Sequence, residues 1–247
     1  MLKPNSLKQT VFIFLIFLIS ILLSNCKNTP ANQVFYLNDN FIGVKHGNTV
    51  KFYETKDQKK WAYAPGKDFK SPGNADQVFY FFGSYIGARN GNTIKFYHTD
   101  HSGAWSYSPG KDLTFADKTD GTFAINYSTI GIWHGKTIKF YETNKQGDWS
   151  ASPLKNFAGN VDIDDAFTPG NNFLAVRNGK TVKFFYVDPQ GNWANRGNLT
   201  FTSPTAADQV FYLNTGSMGV LTGNTIKFYQ VNKKGSWDYK PGFDFTF

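Results

Sequence analysis

Gly91-Asn92-Thr93-Ile94-Lys95-Phe96-Tyr97 decides how this chain folds, because versions of it also begin at Gly47, Gly135, Gly179 and Gly223. Each start lies 44 residues after the last, with no insertion or deletion between them. A tryptophan follows every copy at one offset (Trp61, Trp105, Trp149, Trp193, Trp237), and a phenylalanine precedes every copy as regularly (Phe35, Phe79, Phe123, Phe167, Phe211). Residues 28–247 therefore divide into five units of 44. A fixed period in this range marks a stacked or ring-like array of one supersecondary unit.

Each unit reads as four short strands. Asp76-Gln77-Val78-Phe79-Tyr80-Phe81 is rich in β-branched and aromatic residues, the composition of a strand. Tyr85-Ile86-Gly87-Ala88-Arg89 follows, with a small residue always at its centre: Gly43, Gly87, Gly131, Ala175 and Gly219. A glycine repeated inside a strand implies that a ring or another backbone packs against it. Asn90-Gly91 then reads as a type I′ hairpin, and in the third strand Ile94 and Phe96 share the face opposite Lys95 and Tyr97. A turn closing on glycine (Gly103, Gly147, Gly191, Gly235) leads to the strand of the tryptophan, which stops at Pro65, Pro109, Pro153 or Pro241 in four units. Four antiparallel strands repeated radially describe a β-propeller blade.

Counting separates the rivals. A β-trefoil has three units, and an open solenoid needs atypical capping repeats at its ends. Five times 44 consumes 28–247 and leaves nothing for caps. The reading is all-β, a closed monomeric five-bladed propeller over 32–247, whose inter-blade faces absorb an aromatic content of 18%.

The N-terminus differs in kind. Lys3 and Lys8 precede an apolar run, Val11 to Leu23, interrupted only by Ser20. Thirteen residues are too few to span a hydrocarbon core of roughly 30 Å, so residues 1–25 read as a secretory signal. Leu23-Ser24-Asn25-Cys26 resembles a bacterial lipobox, which implies lipidation of Cys26. Asn25 stands where that family usually has Gly, Ala or Ser, a departure that spirochaete-type lipoboxes tolerate. The alternative is an unmodified cysteine behind an uncleaved anchor. Residues 26–31 would form the lipidated N-terminus and tether, placing the protein on the bacterial envelope, with the outer membrane as the expected site. Cys26 is the sole cysteine, so no intrachain disulfide can form.

Beyond residue 25 the chain carries 24 Lys+Arg against 18 Asp+Glu. That mild excess, without a dense basic run, argues against nucleic acid as a partner. The four histidines follow no metal-ligand spacing, no cofactor is indicated, and Gly135-Lys136-Thr137 lacks the upstream glycine and following helix of a phosphate loop. Asp76, Asp120, Asp164 and Asp208 recur. They read as turn side chains bonding local backbone amides rather than as a catalytic ring, because paired acids must have unlike surroundings. Asp162-Ile163-Asp164-Asp165 adds an acidic cluster, read as a solvated loop rather than a calcium site. No enzyme constellation appears.

Five blades of this length, four of them with a Gly-x-Trp turn, resemble the tachylectin-type five-bladed lectins; Lys-Phe-Tyr-Glu-Thr…Trp is also faintly similar to six-bladed fungal fucose-binding lectins. The resemblance spans the mature chain as architecture and implies sugar binding, but transfers no site residue. A multivalent glycan-binding module is the leading reading, a propeller engaging an envelope or host protein is the alternative, and a glycosidase comes third. A residue kept in every blade is first a packing residue, and that is the primary reading of the tryptophans. Their second reading is sugar stacking, which pairs Trp61, Trp105 and Trp237 with hairpin amides Asn48, Asn92 and Asn224 in three to five weak sites. Lys136 and Lys180 replace the amide in blades three and four. Those blades also have Ala124 and Thr168 where the others have tyrosine, either as a unique pocket or as repacking.

Overall fold

The computed structural model describes residues 32–38, 41–56, 60–100, 103–170, 172–213 and 216–247. The leader, Cys26 and the tether lie outside them. Residues 32–247 form five consecutive antiparallel sheets, one per unit, as the period requires. In blade two the strands are Gln77–Tyr80, Tyr85–Asn90, Thr93–Thr99, Trp105–Tyr107 and Leu113–Thr114. Each pairs with its sequence neighbour, except that the last two share one partner: Trp105 opposes Thr99, while Leu113 opposes Ile94. The outer strand is thus broken in two, with Pro109–Lys111 turning in a 3-10 helix between the halves. The prolines interrupt this strand; they do not end it. Blade four carries Gly197 where the other blades have proline, and there the strand runs unbroken from Trp193 to Thr202.

The hairpin differs from the expected type I′ turn. Asn90 pairs with Thr93, so the two loop residues are Gly91 and Asn92. Among them only glycine has a positive φ, +55°, as do its counterparts Gly47, Gly135, Gly179 and Gly223. Glycine first and an ordinary residue second is the type II′ pattern. The conserved amide is held by the recurrent acid: the Asp76 carboxylate accepts from Gly91 N–H at 2.7 Å, and Asp120, Asp164 and Asp208 treat Gly135, Gly179 and Gly223 likewise.

Alternation along each strand sends side chains to opposite neighbours. Val34 packs with Phe211, Ile226 and Phe228 of blade five, whereas Phe35 packs with Val78 and Ile86 of blade two. Five such apolar clusters occur, one for every pair of adjacent blades, including five with one. An open row of five blades would have four. The fifth cluster closes the ring, without any strand exchanged between blades.

The strand glycines have the cause their recurrence implied. A Cβ at Gly43, Gly87, Gly131 or Gly219 would overlap the ring of Phe35, Phe79, Phe123 or Phe211, which lies across it on the inner strand. Blade four has Ala175 there, and its Phe167 is only partly buried while the other four phenylalanines are buried.

Candidate functional site

The tryptophans join blades. Trp105 lies on Phe52 of blade one with ring centroids 5.6 Å apart and planes 20° from parallel, and its indole N–H donates to Lys67 O at 2.8 Å. Trp149 repeats this on Phe96 and Lys111, and Trp193 on Phe140 and Lys155. Trp61 and Trp237 stack on Phe228 and Phe184, with their buried indole nitrogens lacking a partner. Each tryptophan remains half-buried, so an edge or face is left to the surface.

The hairpin amides are elsewhere. Asn92 precedes the first residue of the third strand, while Trp105 pairs with Thr99 at its far end, about 20 Å along the strand. The neighbouring blade supplies no substitute, since Trp105 sits on Phe52, four residues beyond Asn48 and so about 13 Å away. The structure therefore does not bring Asn48, Asn92 or Asn224 together with Trp61, Trp105 or Trp237. Amides and indoles lie toward opposite faces of the ring.

Trp105 does border a cleft between blades one and two, of about 210 Å³. Its aromatic lining is Phe41, Phe52, Tyr80, Tyr85 and Trp105, and Lys67, Ser84, Thr99 and Asp100 supply polar groups. The Lys67 ammonium lies 4.1 Å from the centre of the Phe41 ring, a cation–π contact. Lys111 over Tyr85, at 5.5 Å, repeats the arrangement one blade on.

Ala124 and Thr168 stand where other blades have a tyrosine. Where tyrosine is present, its hydroxyl fastens the following turn: Tyr80 donates to Gly83 O, and Tyr212 accepts from Gly216 N–H. Thr168 does the same work with its one hydroxyl, which accepts from Gly170 N–H and has Gly170 O and Phe173 O within reach as acceptors. In blade three the Asn126 side chain takes over by accepting from Ser128 and Thr129.

One set of residues escaped the sequence reading. Gln33, Gln77 and Gln209 reach across to the next blade's inner strand, which belongs to a separate sheet. Gln77 accepts from Thr122 N–H and donates to Thr122 O, both at 2.8 Å; Gln209 clasps Val34 N–H and O in the same way; Gln33 accepts from Val78 N–H. In blade four Asp165 stands in, accepting from Val210 N–H at 3.1 Å and from Arg177 at 2.5 Å. Burial pushes the Asp165 carboxyl up to about 6, opposed by the Arg177 charge. The only available signal was the recurrence of Gln-Val-Phe-Tyr in three units.

Asp164 and Asp165, the end of the acidic cluster, are engaged by Gly179 and Arg177. Among the described residues, no group of three or more His, Cys, Asp or Glu could hold a metal ion.

No family model matches the chain, and no curated protein matches it. Among solved structures it is similar to a functionally unknown protein from Desulfotomaculum acetoxidans DSM 771, with 14% identity over 83% of this chain and 67% of that one and a TM-score of 0.49. A protein from Lactobacillus plantarum gives 10% identity, 81% and 67% coverage and a TM-score of 0.45. At such scores neither likeness carries an argument, and the propeller assignment rests on the five blades themselves.

Proposed function

We propose that this chain is a non-enzymatic, envelope-anchored propeller that binds glycans through clefts between its blades. The cleft between blades one and two carries this reading, because it combines aromatic walls with a lysine, two hydroxyls and a carboxylate. Sugars need such a mixture: ring faces for their C–H surfaces and polar groups for their hydroxyls. The Trp–Lys pair recurs between blades two and three and between three and four, so related clefts on one rigid body could act together, converting weak sites into avidity. The recurrent aspartates are each bonded to a turn amide, which favours a structural role for them over catalysis.

Anchoring rests on the lipobox-like Leu23-Ser24-Asn25-Cys26. A glycan array probed with the full chain in mild detergent tests the ligand class, and calorimetry on any hit should give a stoichiometry above one. Absence of any bound glycan would move the assignment to a protein partner. For the anchor, labelled palmitate should enter the wild-type protein and not Cys26→Ala; no incorporation into wild type would overturn it.

A further inference from the structure

Phe82 is the sole residue other than glycine with a positive φ among the described residues, at +45°. The repeat places Asn38, Asn126, Gly170 and Asn214 at that position in the other blades, and the Asn126 backbone there has no positive φ. Asn126 shows what the amide contributes: its Oδ1 accepts from Ser128 N–H at 2.9 Å, the Ser128 hydroxyl at 3.1 Å and Thr129 N–H at 2.9 Å. Phe82 can make none of these bonds and occupies a conformation that bulky side chains disfavour. Backbone strain kept at one position of a repeat, against an available relaxed choice, points to function at that position.

What the strain provides is a ring in a particular place. Phe82 lies 5.8 Å from the Tyr80 ring on one side, and 5.6 Å from the Tyr127 ring on the other, the latter in edge-on contact. Tyr127 is 76% exposed and stands where the other units have Asp39, Gly83, Asn171 and Thr215. Tyr80 in turn lines the cleft between blades one and two. Three aromatic rings from two blades thus run outward from that cleft, each specific to its unit or shared by only some of them. The row lies beside hydroxyl and charged groups of the cleft, Ser84 and Lys67 among them. Exposed aromatic surface with polar neighbours suits the C–H face of a pyranose, whose hydroxyls stay hydrated or bond at the edge.

The geometry points to a single glycan-stacking platform, Tyr80–Phe82–Tyr127, on the loop face of blades two and three and continuous with the neighbouring cleft. It rests on the glycan reading and makes that site unequal: one extended subsite dominates the weaker clefts.

The test uses the full chain in mild detergent with soluble hexasaccharides of glucose, galactose and N-acetylglucosamine, read by calorimetry beside thermal melting. Tyr127→Ser and Phe82→Asn should each weaken binding about tenfold, while Asn92→Ala leaves it unchanged. Phe82→Asn should at the same time raise Tm by about 3 °C, because asparagine tolerates the left-handed backbone that phenylalanine disfavours. Sugar bound equally by wild type and both variants would overturn the platform and leave the glycan reading standing. No binding by wild type to any of the three would overturn both. A lowered Tm for Phe82→Asn would remove the strain argument on which the platform depends.

Discussion

Blades five, one and two are neighbours round the ring, as are blades three and four, and the two arcs meet the same structural demands with different chemistry. On the inner strand, Gln209, Gln33 and Gln77 bridge to the next blade with a neutral amide. The other arc has Gly121, where a Cβ would overlap Trp133, and Asp165, which needs Arg177 beside it. The outer edge divides along the same line. Tyr63, Tyr107 and Tyr239 donate to Asp68, Asp112 and Asp244, and Lys51, Lys95 and Lys227 lie 5.4 to 5.6 Å over those rings. Blades three and four have Ala151 and Asn195 instead of tyrosine, and Lys139 pairs with Asp117 at 2.6 Å. A side chain bridges to the next blade's inner-strand amide at four of the five junctions, whereas Gly121 has none to offer blade four. Which residue provides the bridge is negotiable, so blades can drift in blocks without opening the ring.

The amide bridge is the place to break this comparison hardest. Gln77→Ala should cost about 3 kcal/mol, because Thr122 N–H and O are left unpaired between two blades; urea denaturation would measure it. A loss below about 1 kcal/mol would mean that the amide is incidental. Next comes the strand glycine. Gly131→Ala should destabilise by about 2 kcal/mol by displacing the Phe123 ring, whereas Ala175→Gly in blade four should cost only about 1 kcal/mol through added backbone freedom. Equal losses would show that Phe167 has not adjusted to the larger residue.

The charged stand-in gives the two arcs different pH behaviour. The folded-state value of Asp165 lies above its unfolded one, so the native state takes up a proton first as pH falls from about 6 toward 4. This group therefore lowers stability at neutral pH, and that penalty is relieved on acidification. Stability measured across this window should rise by less in Asp165→Asn than in wild type, and identical slopes would show that Arg177 keeps the carboxyl charged throughout. The smallest effect belongs to the outer edge. The hydrogen bond to Asp112 holds the Tyr107 phenol up to about 12, and Asp244 does the same for Tyr239. Ultraviolet titration should show late-ionising tyrosines, with one fewer in Tyr107→Phe and little change in stability.

The sequence by itself determined the number of blades, the antiparallel order of strands, a close approach at the strand glycines and closure of the ring. All of these follow from a period without insertions and from alternation within strands, which are local and therefore written in adjacent residues. The glutamine bridges, the partner of each tryptophan and the aspartate clamp on the hairpin glycine were decided by tertiary structure, since these contacts join residues 15 to 175 positions apart. Alternation says which side chains leave one face of a sheet, but only assembly of the ring says what they meet there. The same limit misplaced the amide–indole site. Asn92 and Trp105 are close in sequence, yet the strand between them runs the full depth of the blade and carries them to opposite faces. Phe82 was the converse: an ordinary aromatic residue in the sequence, whose significance appears only when the turn forces its backbone into the left-handed region.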